Sequence, residues 1–178
     1  MRVSLTPHPD TPCAAVTRLS VDVVRDRRGR LILSYVGEIA SETLLLPTPV
    51  APDRTDGLWR HTCFEMFVRI SDQAYVEVNL SPSTQWAAYI FDDYREGMSV
   101  LEIMTPRIMT TGGRPPRYEL RASVDLSSIP ALAAAKSWQL ALTAVIEETD
   151  GAKSYWALKH PPGKPDFHHV DGFALELP

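Results

Sequence analysis

Apolar and polar residues alternate with a period of two along most of the chain, in short runs bounded by proline, glycine and small polar residues. From Thr17 to Asp26, Leu19, Val21 and Val23 alternate with Arg18, Ser20 and Asp22; the run stops at Arg27-Arg28-Gly29-Arg30, and Leu31 to Val36 resumes it. This is the pattern of a β-hairpin. From Thr62 to Ile70 the even positions Phe64, Met66, Val68 and Ile70 are apolar, while Cys63, Glu65 and Arg69 share the other parity with Phe67. After Ser71-Asp72-Gln73, Val76, Val78 and Leu80 alternate with Tyr75, Glu77 and Asn79. The pair predicts two antiparallel strands with one apolar face and one functionalised face. Further strands are predicted at Trp86 to Phe91, Glu102 to Thr110, Arg117 to Asp125, Trp138 to Glu147, Ser154 to Leu158 and Phe173 to Leu177. Thr111-Gly112-Gly113 and Thr149-Asp150-Gly151 read as turns. Only Pro130 to Lys136 reads as helix, with Ser127 or Ser128 as its N-cap. Nine or ten short strands and at most one short helix predict an all-β fold. The expected form is an antiparallel β-sandwich with a two-sheet architecture of immunoglobulin or jelly-roll type.

Composition narrows the classes. The 178 residues are 44% hydrophobic and 22% charged, with a net charge of -4. That is one domain's worth of chain, 1–178, with Pro47 to Asp56 as a long internal loop and no repeat. The charge leaves no basic footprint for nucleic acid, and no apolar run approaches the ~18 residues of a membrane span. The N-terminal residues show no signal-peptide pattern, and Cys13 and Cys63 form no disulfide framework, so a cytoplasmic location is expected.

Candidate chemistry gathers in three segments: Gly57 to Phe67, Tyr75 to Trp86, and Tyr155 to His169. They hold three of the four tryptophans and four of the five histidines. A sugar has flat C–H faces and a rim of hydroxyls, so its site needs aromatic plates edged by amide, carboxylate and guanidinium groups. Trp59, Trp86 and Trp156 supply plates, with at least one of the three expected in the core together with Trp138. Glu65, Glu77 and Asn79 would hold hydroxyls, with Arg60 or Arg95 as a charge-assisted donor. The HPPGKPDFHH stretch would form a stiff rim whose histidines, His160, His168 and His169, face the cleft. The competing readings are a metal-dependent enzyme or a haem or redox module built on His61, Glu65, His168 and His169, with His160 as a further candidate. Zinc accepts these ligand types, but ligands along one flat strand are too far apart to chelate unless a second strand converges on them. Cys63 with His61, at i and i+2, lacks the geometry of an activated thiol. Glu65 and Glu77 are a possible glycosidase pair, although Glu and Arg alternating on a sheet face is also ordinary solvation. A non-catalytic binding role ranks above an enzymatic one.

At these segments the chain resembles a known family. LWRHTCFEMFV, YVEVNLSPSTQWAAYIFDDYREGM, SYWALKHP and PDFHHVDGFALEL, from about Thr17 onward, are similar to the bacterial DOMON-like proteins related to family 9 carbohydrate-binding modules. The resemblance implies an antiparallel sandwich that binds a sugar, haem or similar small ligand at one sheet. It implies ligand contact at Trp59 and Glu65 and a second aromatic late in the chain, Trp156 or Phe167. Calcium, structural in such modules, and haem are left open. His61 stands where an acidic residue is common, and His168-His169 has no counterpart.

Overall fold

A computed structural model describes all of residues 1–178. Thirteen strands form the chain: β1 (Arg2–Pro7), β2 (Val16–Arg25), β3 (Arg30–Ile39), β4 (Leu44–Leu45), β5 (Cys63–Arg69), β6 (Tyr75–Leu80), β7 (Trp86–Phe91), β8 (Ser99–Val100), β9 (Arg107–Arg114), β10 (Arg117–Asp125), β11 (Trp138–Glu148), β12 (Lys153–Ala157) and β13 (Leu175–Leu177). The one α-helix, α1, spans Pro130–Ala134, and 3₁₀ turns lie at Leu58–Arg60 and Val170–Gly172. No helix is long and apolar enough to cross a membrane.

The chain is nearly all-β, as the alternation predicts, and every ladder between strands is antiparallel. Hydrogen bonding runs continuously in the order β8-β7-β6-β5-β11-β12-β1-β2-β3-β10-β9, a single curled sheet whose two halves meet at one strand. The join is β1. Its Arg2 to Leu5 pair with β2, while Thr6 and Pro7 pair with β12. A strand that changes partners part-way turns a corner without leaving an open edge. β1 lies before Thr17, where the first strand is expected, although Val3 and Leu5 do alternate with Arg2, Ser4 and Thr6.

Curling brings the apolar parities of both halves into one core of 35 buried residues. Phe64, Met66 and Val68 of β5, Val78 and Leu80 of β6, and Leu140 and Leu142 of β11 join Val21, Val23, Leu31, Leu33, Leu120 and Val124. Each such side chain contributes about 1.5–3 kcal/mol by leaving water. Tyr35 spans the core from β3, its hydroxyl donating to the Glu65 carbonyl at 2.7 Å, so β5 is fixed from behind.

Three local expectations change. The strand expected at Glu102 begins only at Arg107, after Pro106, which has no N–H to give to a ladder. It then continues through Thr111-Gly112-Gly113, read above as a turn. The register shifts there, with Tyr118 opposite Gly112 and Arg117 opposite Arg114. Gly112 has φ +84°, and a Cβ on it would lie 2.1 Å from the Arg117 carbonyl oxygen, so this β-bulge requires glycine. Neither Ser127 nor Ser128 caps α1; Ile129 occupies the N-cap position, and the Ser127 hydroxyl donates to Asp125 instead.

Candidate functional site

The site is the second face of the same strands. Rows across the sheet put Ala87, Asn79, Glu65 and Thr143 side by side, with Tyr89, Glu77, Phe67 and Ala141 in the next row. All carry the parity opposite to the core. Phe67, the exception to polar patterning on β5, packs here in a second cluster with Leu58, Tyr75, Tyr89 and Phe91. Three segments close over this face: the 3₁₀ turn at Leu58–Arg60, the loop after β7, and residues 165–168. Together they border a half-open cavity of about 450 Å³.

Glu65 and Glu77 lie on its floor, and its walls are Trp59, Tyr89, Phe91, Tyr155 and Phe167, with Val145, Met98 and Pro165 between them. Arg95 and His168 reach it from the covering loops. Trp59 stands edge-on to Tyr89, ring centres 6.2 Å apart, and Phe167 meets Tyr155 at 5.8 Å. Trp59 remains 40% exposed, so its ring has a free surface at the cavity.

The floor is buried and acidic. Glu65 is 3% exposed and Glu77 6%. Asn79 donates to Glu77 Oε1 at 2.8 Å, and the Thr143 hydroxyl donates to Glu65 Oε2 at 3.4 Å. Glu65 Oε1 and Asn79 Oδ1 have no hydrogen-bond partner. Burial, then the neighbouring Glu77 charge, pushes the Glu65 carboxyl well above the usual range, against the Thr143 bond. Burial pushes Glu77 up to about 7, opposed by the Asn79 bond and by Arg95. Two carboxyls this close in a low-dielectric setting resist ionising together.

A hydrogen-bonded chain leads outward. The Tyr75 hydroxyl accepts from the Arg95 backbone N–H at 3.1 Å and shares a 2.8 Å hydrogen bond with His168 Nδ1. The other ring nitrogen, Nε2, lies 3.8 Å from Glu77 Oε2. Burial, then Arg95, lowers His168 to about 4, so the ring is neutral and its approach to Glu77 is not an ion pair at neutral pH. Arg95 binds Asp166 at 2.8 Å, and Asp166 also accepts from the Tyr94 hydroxyl and from the His168 backbone at 3.0 Å. Burial alone would raise Asp166, yet these donors hold it below its usual value. The loop after β7 is thereby tied to residues 166–168.

Of the residues singled out in the sequence, Trp59, Glu65, Glu77, Arg95, Phe167 and His168 meet at the cavity. Asn79 lies beneath the floor, wholly buried. Two tryptophans are corrected from plates to core: Trp86 pairs with Leu80 and Trp156 with Ala144, both on the core parity, and they are 5% and 2% exposed. Trp156 anchors its indole N–H on Ser154 Oγ at 3.0 Å. Arg60 is exposed on the 3₁₀ turn and does not line the cavity. His61 points to Glu147 at 2.8 Å, and His160 binds the Thr6 carbonyl and packs edge-on to His8. His169 accepts from the Asp171 N–H and caps the second 3₁₀ turn. The rim therefore turns one histidine, His168, to the cleft.

The metal set His61, Glu65, His168 and His169 is thus dispersed, and no three His, Cys, Asp or Glu side chains converge to hold a metal ion. The residues do not fit haem either: His168 has one ring nitrogen engaged and the other turned to Glu77, and Met66 lies in the core. Cys63 is fully enclosed, and burial, then the Glu65 charge, pushes its thiol well up, leaving no nucleophile.

Tyr89, Phe91 and Tyr155 belong to the site without having been singled out. Parity is the signal that finds them: Tyr89 lies opposite Glu77, and Tyr155 adjoins Trp156 on the other face.

No family model and no curated protein matches this chain. Among solved structures, a candidate carbohydrate-binding protein from Bacteroides uniformis shares the fold with a TM-score of 0.61 at 14% identity, over 97% of this chain and 83% of that one.

Proposed function

We propose that residues 1–178 form one non-catalytic domain that binds a carbohydrate in the cavity above Glu65 and Glu77. One observation carries the reading: a cavity of about 450 Å³ joins aromatic walls to a polar floor with an unpartnered, buried carboxylate oxygen. Aromatic faces take the C–H faces of a sugar ring, and the open acceptor takes a hydroxyl. Both carboxyls lie on the same sheet face, whereas glycoside hydrolysis needs a pair that flanks the bond, so the floor suits holding a sugar better than cleaving one. The Bacteroides uniformis protein with this fold supports the reading, as does the similarity to DOMON-like proteins and family 9 modules; membership of that group is the finer form of the same proposal.

The test is tryptophan fluorescence across a glycan panel. Trp59 is the cavity's tryptophan, so a bound sugar shifts the emission, and Trp59→Ala removes the shift. A panel with no response, or a response unchanged in Trp59→Ala, refutes the reading.

A further inference from the structure

The floor is built of two carboxyl groups. Glu65 Oε1 has no partner, although the residue is 3% exposed and lines the cavity. Two donors beside it are already used. The Asn79 amide donates to Glu77 and the Thr143 hydroxyl to Glu65 Oε2, while His168 Nε2 lies 3.8 Å from Glu77 Oε2. Arg95 is the cation that lines the cavity, and it is already paired with a carboxylate, Asp166. Arg54 is paired with Asp56 beyond Tyr89, and His168 is neutral. The other titratable neighbours, Cys63, Tyr35, Tyr75 and Tyr89, are held protonated by burial.

A hydroxyl can donate to the free oxygen, but it brings no charge to the pair. An ammonium has three donors and no acceptor, and its positive charge settles two adjacent buried carboxyls. The aromatic walls suit it further, since ring faces attract cations.

We infer that the ligand is an amino sugar, whose free ammonium is seated on Glu65 and Glu77 while its ring lies against Trp59 and the other aromatic walls. This rests on the carbohydrate reading and narrows it. The carboxyl that holds a proton in the free protein gives it up as the ammonium arrives, and the proton goes to the buffer. No covalent bond changes.

The experiment is calorimetric titration near neutral pH with a glucosamine oligomer, its N-acetylated counterpart, a glucose oligomer of equal length and choline. The glucosamine oligomer is expected to bind roughly tenfold more tightly than either neutral oligomer, about 1.4 kcal/mol. Repeating the titration in buffers of different ionisation enthalpy should show proton release. In Glu65→Gln the preference should fall to about threefold or less; should that variant fail to fold, proton release by the unaltered protein still decides. Equal or tighter binding of a neutral oligomer, or binding without proton release, overturns the inference and leaves the carbohydrate reading intact. Binding of no sugar overturns both, and choline binding alone would assign the cavity to small organic cations instead.

Discussion

The two tryptophans that the sequence makes equivalent should behave in opposite ways when each is replaced by alanine. Trp156 is 2% exposed on the core side of β12, with its indole N–H on Ser154 Oγ at 3.0 Å. Removing a fully enclosed indole costs about 3–5 kcal/mol, from lost transfer energy and from the cavity left behind. Ser154, itself 1% exposed, would also lose the partner its hydroxyl now has. For a chain of this length each kcal/mol moves the melting temperature by about 2–4 °C, so Trp156→Ala should melt on the order of 10 °C below the parent. Trp59 is 40% exposed and meets Tyr89 only at its edge. Trp59→Ala should cost about 1 kcal/mol and melt within about 4 °C of the parent, yet lose the glycan response. Far-UV circular dichroism gives the melting curves, and a glycan titration well below both midpoints gives the binding. The reasoning is refuted if Trp156→Ala melts within about 3 °C of the parent, or if it is the variant that loses binding while Trp59→Ala retains it.

Three further outcomes are expected. Glu77 is raised from 4.5 to about 7 on folding, so its stabilising contribution is complete below pH 4.5 and is lost as pH rises through 7. The stability of Glu77→Gln relative to the parent should therefore improve steadily in urea melts from pH 5 to pH 7.5, and a flat difference would contradict the buried acidic floor. His168, lowered from 6.5 to about 4, acts in the opposite sense below pH 6.5, which is why the comparison is made against the Glu77 variant. Cys13 is half-buried and Cys63 enclosed, so a thiol reagent should label one cysteine of the folded protein quickly and the second only on unfolding; fast labelling of both would contradict the enclosure of Cys63. Arg95→Met should cost less than about 1 kcal/mol in a urea melt, because the Arg95–Asp166 pair is partly solvent-exposed, but should weaken glycan binding by loosening residues 166–168. A large stability loss with unchanged affinity would show the pair to be structural alone.

Much of this was readable before the structure. Alternation on β5 and β6 located one apolar and one functionalised face, and Glu65, Glu77 and Trp59 do share a cavity on that second face. Parity fails where register is needed. Trp156 and Tyr155 are neighbours in sequence, and only the pairing of Trp156 with Ala144 and of Tyr155 with Val145 decides which ring faces the core. Histidine clustering in sequence also overstated the site, because His160 binds the distant Thr6 carbonyl and His169 its own turn, whereas His168 is drawn inward by Tyr75. The continuous sheet was hidden for a different reason. It depends on β1 changing partners after Leu5, a long-range pairing that six residues of weak alternation do not announce.

The central claim, that the cavity above Glu65 and Glu77 is the ligand site, is tested most directly by a crystal structure of the protein with the glycan that binds best in the panel. The account predicts a sugar ring against Trp59 with a polar substituent within about 3 Å of Glu65 Oε1, the usual hydrogen-bond separation. A glycan bound elsewhere, with the cavity holding only water, would contradict it.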